Sequence, residues 1–387
     1  MRIVLLVFIC FLMAACATAN LPHPIATDLF HDELFKPASI SINPDDALAI
    51  TPSMVSYAQT NLRHPMGHVD SKDRRISLIN ALYKKGELSL EYDAAQTLTA
   101  SEAFEAKKGN CLSLVLLTAV MAREVGLPMH FQSVVGATDW GKSDNFFMSI
   151  GHVNLVLEKV PSEFELQTWT STPVVIDFLP PEQAQVLNTI EISENTVLAM
   201  YLNNRAVETM IQGNLDDAYW WVRASLLEDP EFFNSYITLG IIYRTLHHSE
   251  YAENVLERIA LYEPDNTTML TNRILVLRDL GRLAESNDLA QRLVRLDLHP
   301  PWGYYLQAQS EFNAGHFEIA RHLYEKEIAR DPLHHEFEYG LALVYFKLHD
   351  TPDAIKHLQR ALELSVSKQN HDFYADKLDN LKKTGVM

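Results

Sequence analysis

The stretch "AGHFEIARHLYEKEIARDP", residues 314–332, holds a glycine, a small residue and a proline whose positions recur along the C-terminal half of the chain. Gly315 belongs to the column Gly213, His247, Gly281, Gly315, His349, which steps by 34 residues. Ala320 belongs to a second, made of Ala218, Ala252, Ser286, Ala320 and Ala354. Ala206, Gly240, Ile274, Ala308 and Ala342 form a third, and Pro230, Pro264 and Pro332 keep the same register. Two antiparallel helices approach closely only where side chains are small, and the tight turn between them favours glycine. No insertion breaks the register, so it predicts five helix pairs over residues 199–368. Residues 369–387 then supply a polar capping helix and a tail, because a solenoid needs its open end covered.

This period resembles the tetratricopeptide repeat (TPR), and the resemblance implies an all-α solenoid that recruits a protein partner. The aromatic residues Trp220, Trp221, Tyr236, Tyr243 and Tyr345 read as packing between helices. By register, Arg244, Arg278, Tyr305, Phe312 and Tyr339 fall on the inner face of each pair's first helix. They are solvated surface or core edge on one reading. On the other they line a groove for an extended peptide.

The whole chain has 387 residues, enough for two or three domains, and its 47% apolar content suffices for real cores. A net charge of -18 repels phosphate backbones, so nucleic acid is not an expected partner. Residues 1–19 read as a signal peptide: Arg2, an apolar run from Ile3 to Met13, then small residues. Two cleavage sites compete. "MAAC" resembles the bacterial lipobox, which would make Cys16 a lipidated first residue and anchor the chain in a membrane. "ATA" before Asn20 would instead release a soluble periplasmic protein. Ala17 is not the aspartate that retains lipoproteins in the inner membrane, so the resemblance implies a periplasm-facing outer-membrane lipoprotein of the bacterial envelope. Residues 20–74 read as an N-terminal extension, irregular and superficial up to about Asp46 and helical from Ala47 to Leu62.

Between extension and repeats, residues 75–190 have α+β order. Thr99 and Glu102 form a capping box for a helix running to Gly109. Asn110 then caps a helix from Cys111 that is apolar nearly all round and stops at Gly126–Leu127–Pro128. Strands follow at 129–135, 152–158 and 172–180, with residues 136–151 read as a polar loop between the first two. In the second strand Val153, Leu155 and Leu157 share one face, His152 and Asn154 the other.

Cys10 and Cys16 belong to export, which leaves Cys111 as the folded body's cysteine. It is either a small buried core residue or a nucleophile. A helix N-terminus favours the thiolate, and Cys111 sits in the first turn, behind a cap and a glycine. Asp177 lies in an otherwise apolar strand, where a carboxylate needs a partner such as an imidazole.

"GNC", "GLP", "GHVNLVL" and "VVIDF" in this order resemble the transglutaminase-like superfamily, over roughly residues 75–180. That resemblance implies a papain/transglutaminase-like α+β domain ahead of the solenoid. It implies thioester chemistry on peptide or protein amides, with Cys111 attacking, His152 shuttling the proton and Asp177 orienting His152. The oxyanion would meet the Cys111 N–H and a second donor, Gln132 or Asn154. "HVN" replaces the family's usual His-Ala-Trp, and "DFLPP" its Asp-Pro, so water and an amine both stay open as acceptors. The other reading is a non-catalytic envelope scaffold that uses its TPR groove. No cofactor is called for, and His247, His248, His334 and His335 lack a third ligand at metal spacing.

Overall fold

A helix apolar on every side must be covered on every side, and the elements flanking Cys111 do this. The computed structural model describes residues 26–62, 74–83, 88–93, 96–143, 146–158, 172–178, 188–296, 302–330, 332, 334–365 and 368–384. Helix α1 (Pro52–Tyr57) runs into a π turn over Ala58–Leu62, and α2 (Arg74–Tyr83) follows. The strand-like pair β1 (Glu91–Tyr92) and β2 (Lys108–Gly109) is parallel. Between them, α3 (Ala100–Ala106) has both bonds of the Thr99–Glu102 capping box. It ends before Gly109 because Lys107 turns left-handed, with φ 55°. Helix α4 (Cys111–Glu124) starts two residues later, and every residue from Leu112 to Ala122 is buried.

The sheet order is β5-β4-β3-β6, antiparallel throughout. Its strands are β3 (Met129–Ser143), β4 (Phe146–Leu157), β5 (Val174–Ile176) and β6 (Asn188–Ile192). Val153, Leu155 and Leu157 join the core that holds α4. Residues 136–151 are not a loop: β3 and β4 stay paired out to Ser143 and Phe146, with one register shift between Val134 and Thr138. Ladder bonds form between backbones whatever the side chains, so a stretch without hydrophobic alternation can still be strand. Hydrophobic alternation reveals a strand only where one face is buried, and β6 escapes it because its "NTIE" residues are exposed.

The solenoid alternates first helices α5 (Glu194–Ile211), α7 (Phe233–Thr245), α9 (Thr267–Asp279), α11 (Gly303–Asn313) and α13 (His335–Lys347) with second helices. The second helices are α6 (Leu215–Glu228), α8 (Ser249–Ala260), α10 (Leu283–Leu296), α12 (Phe317–Arg330) and α14 (Thr351–Leu364). Helix α15 (Lys368–Thr384) packs on α14 and closes the array. The small-residue column is fully buried, each of Ala218, Ala252, Ser286, Ala320 and Ala354 at 0% exposure. The turn column shares one conformation: Gly213, His247, Gly281, Gly315 and His349 have φ from 62° to 85°. Glycine takes that conformation freely, while each histidine pays roughly 1–2 kcal/mol for it. Close approach is tightest at Gly340 on α13, where an added Cβ would lie 2.5 Å from the buried ring of Tyr324. Gly340→Ala is therefore expected to cost about 1–3 kcal/mol, read as a lower urea midpoint at an unchanged slope.

The described part of the N-terminal extension is fastened to the solenoid rather than lying loose on it. Phe35 stacks on Tyr219 at 3.8 Å, and His31 on Tyr251 at 3.8 Å. Tyr243 Oη donates to Leu29 O at 2.7 Å, and Trp220 Nε1 to Lys36 O at 2.6 Å. The sheet meets the first helices of the solenoid, β3 against α5 and β4 against α7 and α9.

Candidate active site

Cys111 is half-buried at the first position of α4. Asn110 caps this helix, its Oδ1 accepting from Ser113 N at 2.9 Å and Ser113 Oγ at 2.8 Å. Gly109 is required by crowding: a Cβ there would stand 2.7 Å from Ser113 Cβ. The thiol therefore follows a turn with little freedom, beside backbone N–H groups that have no partner within the helix.

Pairing of Ile176 with Leu155 brings Asp177 level with Asn154, close to His152 on the same strand. His152 Nε2 and Asp177 Oδ1 are 2.7 Å apart, and Asn154 Nδ2 donates to Asp177 Oδ2 at 3.4 Å. From α2, Tyr83 Oη donates to the Asp177 carbonyl at 2.9 Å. Burial and the Asp177 charge push the Tyr83 hydroxyl up to about 12, so it stays a donor. Burial is the largest influence on His152 and lowers its pKa. Hydrogen bonds to Asp177 and Cys111, with their charges, together outweigh it and raise the imidazole to about 9. With Nε2 committed to Asp177, Nδ1 is the ring atom left for the Cys111 sulfur. The ring is an imidazolium at neutral pH, so it can stabilise negative charge on sulfur and supply a proton to a leaving group.

His152 and Asp177 thus come together, and Cys111 lies near enough to act on the His152 ring. Gln132 lies across the ladder from Asn154, and its Nε2 is 3.2 Å from His130 Nε2. Asn154 is 3% exposed and directs its amide at Asp177. Cys16 and both cleavage sites fall outside the described residues. The five inner-face residues make contacts between neighbouring helices. Arg244 Nε bonds Asp279 Oδ2 at 2.6 Å, joining α7 to α9. Arg278 reaches from α9 to Leu306 O (3.0 Å) and Gln309 Oε1 (3.3 Å) on α11. Tyr305 is buried against Tyr324 and Phe337. Phe312 packs edge-on to Phe317, and Tyr339 packs on Phe373 and Tyr374 of the closing helix. Tyr83 and Ser113 are site residues that sequence reasoning passes over. The Asn-x-x-Ser spacing of Asn110 and Ser113 is a capping pattern that could have exposed the second.

The tetratricopeptide repeat family model matches residues 305–366, and this part of the chain carries those repeats. Solved structures of similar chains include a thermophilic TPR protein of Thermus thermophilus, at 15% identity and TM-score 0.43, covering 46% of this chain and 98% of that one. A tetratricopeptide repeat protein from Parabacteroides merdae has 16% identity and TM-score 0.41, over 49% of this chain and 74% of that one. YrrB, described as a TPR protein with an unusual peptide-binding site, has 19% identity and TM-score 0.33, over 46% of this chain and 92% of that one. No curated protein matches the chain.

Proposed function

We propose that this chain is an exported, lipid-anchored cysteine hydrolase or acyltransferase of the transglutaminase-like kind, with a TPR solenoid that recruits its protein partner. The observation that carries the reading is the 2.7 Å contact of His152 with Asp177, on a ring whose pKa, against burial, is raised by Asp177 and by Cys111 together. The Cys111 sulfur attacks the carbonyl carbon of a peptide or protein amide. Negative charge develops on the carbonyl oxygen, against the Cys111 N–H and a side-chain amide from Gln132 or Asn154. His152 gives its Nδ1 proton to the departing amine as the C–N bond breaks, leaving a thioester. Water or a second amine then attacks that thioester and passes its proton to His152 as the C–S bond breaks, which releases the acid or the new amide and returns the sulfur and the imidazolium to their starting state. The anchor reading rests on "MAAC" and Ala17, and globomycin-sensitive processing is its test.

One observation favours a second reading, a non-catalytic scaffold: the family model that matches covers repeats alone. The two are separated by labelling with an electrophilic probe under reducing conditions. The enzyme reading expects wild-type protein to be labelled and Cys111→Ala to lose that labelling. Failure of the wild type to react with any electrophile would leave the scaffold standing.

A further inference from the structure

We infer that helix α5, the first helix of the solenoid, is part of the machinery that positions Cys111, acting through Thr97. Thr97 is 1% exposed and precedes α3, and its contacts run both to the cap of α4 and to α5. On one side Asn110 Nδ2 donates to Thr97 Oγ1 at 2.8 Å. This is the amide end of the side chain whose oxygen caps α4 directly before Cys111. On the other side α5 holds Thr97 by every polar group it has. Glu208 Oε1 accepts from Thr97 N at 2.6 Å, Arg205 donates to Thr97 O at 3.2 Å, and Asn204 Nδ2 donates to Thr97 Oγ1 at 3.3 Å. Arg205 also bonds Glu208 Oε2 at 3.3 Å.

The neighbouring turn closes the circuit. Leu98 N donates to Ser113 Oγ at 2.8 Å, and that hydroxyl donates to Asn110 Oδ1. Asn110 therefore has both ends fixed, one by Ser113 and one by Thr97. A cap held at one end can rotate; one held at both ends cannot. Burial pushes the Glu208 carboxyl above its ordinary range, while the Thr97 bonds and Arg205 pull it down. A carboxylate kept there against that cost has little other work than Thr97 and Arg205. Asn204, Arg205 and Glu208 are thus positioning residues for the thiol, more than 90 residues downstream of it in sequence. The sheet domain and the first repeat make one functional unit.

The inference rests on the proposed use of Cys111 as the reacting group, and the test keeps the two apart. In the full chain, iodoacetamide capture of Cys111 is followed as a function of pH, beside hydrogen exchange at the Ser113 and Leu114 amides. Glu208→Ala is expected to displace the pH–rate profile upward by about one unit, about tenfold in rate at neutral pH, and to speed exchange at both amides. Glu208→Gln keeps an acceptor for Thr97 N and should restore most of the rate. If Glu208→Ala does not fold, Asn204→Ala, which removes a single bond, is expected to move both readouts in the same direction by less. A folded Glu208→Ala with wild-type profile and wild-type exchange would overturn the inference. Wild-type Cys111 reacting no faster than free cysteine would instead remove the enzyme reading, and exchange alone would then decide the positioning role.

Discussion

Exchanging His152 for alanine is expected to slow electrophile capture by Cys111 at neutral pH on the order of 10²-fold, the usual contribution of a positioned acid–base group. Alanine also strips Asp177 of its 2.7 Å partner in a site where His152 is 5% exposed, so stability falls with reactivity. His152→Gln separates the two effects. Its amide N–H can still face Asp177, but it carries no charge to the sulfur. Glutamine is therefore expected to be nearly as slow as alanine and markedly more stable. A His152→Gln protein that reacts at the wild-type rate would show that the ring does not serve the thiol. The same pair sets a pH dependence. The folded imidazole is held near 9, above its ordinary 6.5. Below about 6.5 both folded and unfolded chains are protonated there, and the stabilisation is complete. As pH rises toward 9 the unfolded chain gives up its proton first, and the contribution drains away. The full swing is on the order of 3 kcal/mol. Denaturation midpoints should fall over that window in wild type and fall less in His152→Gln.

The features legible in the sequence are those written locally or periodically. The cap, the thiol and the glycine of "GNC" adjoin one another, and each acts on its immediate neighbours. Asp177 betrays itself as a carboxylate among apolar neighbours, His152 as a polar position alternating with apolar core positions, and β-register sets Asp177 opposite Asn154, two residues from His152. The helix pairs are legible because one steric demand repeats five times, at Ala218 and its four equivalents. Contacts made by docking are not legible. Thr97 is an ordinary residue before a capping box, and nothing adjacent says that Glu208 will take its N–H. Phe35 reads as one aromatic in a Pro/Asp-rich stretch, although it stacks on Tyr219. Arg244 and Arg278 show the same limit from the other direction. Register puts them on an inner face, and the partners that occupy them, Asp279 and Gln309, depend on how far adjacent repeats rotate.

Glu327 carries the largest stability effect to be expected in the solenoid. It is 0% exposed, and a carboxylate so buried is tolerated only when every lone pair is used. Helix α11 supplies the partners. Its cap residue, Trp302, provides no side-chain bond, which leaves the first-turn N–H groups to be satisfied from elsewhere. Glu327, on α12, takes Trp302 N at 3.1 Å, Tyr304 N at 3.0 Å and Tyr305 N at 3.3 Å. It is also paired with Arg330 one turn along its own helix. Negative charge at the positive end of α11 adds to the hydrogen bonds. Glu327→Ala removes all of these at once and leaves buried donors facing a cavity, at a cost of about 3–5 kcal/mol. Glu327→Gln keeps one acceptor oxygen but turns an NH₂ group toward the other donors, so it should fall between the two. A solenoid repeat leans only on its neighbours. The loss should therefore appear first in α11–α13, as faster hydrogen exchange there and an earlier unfolding step, with Cys111 reactivity unchanged until the sheet domain itself melts. Exchange in α11 at the wild-type rate in Glu327→Ala would mean that solvent satisfies those N–H groups as well as the carboxylate does.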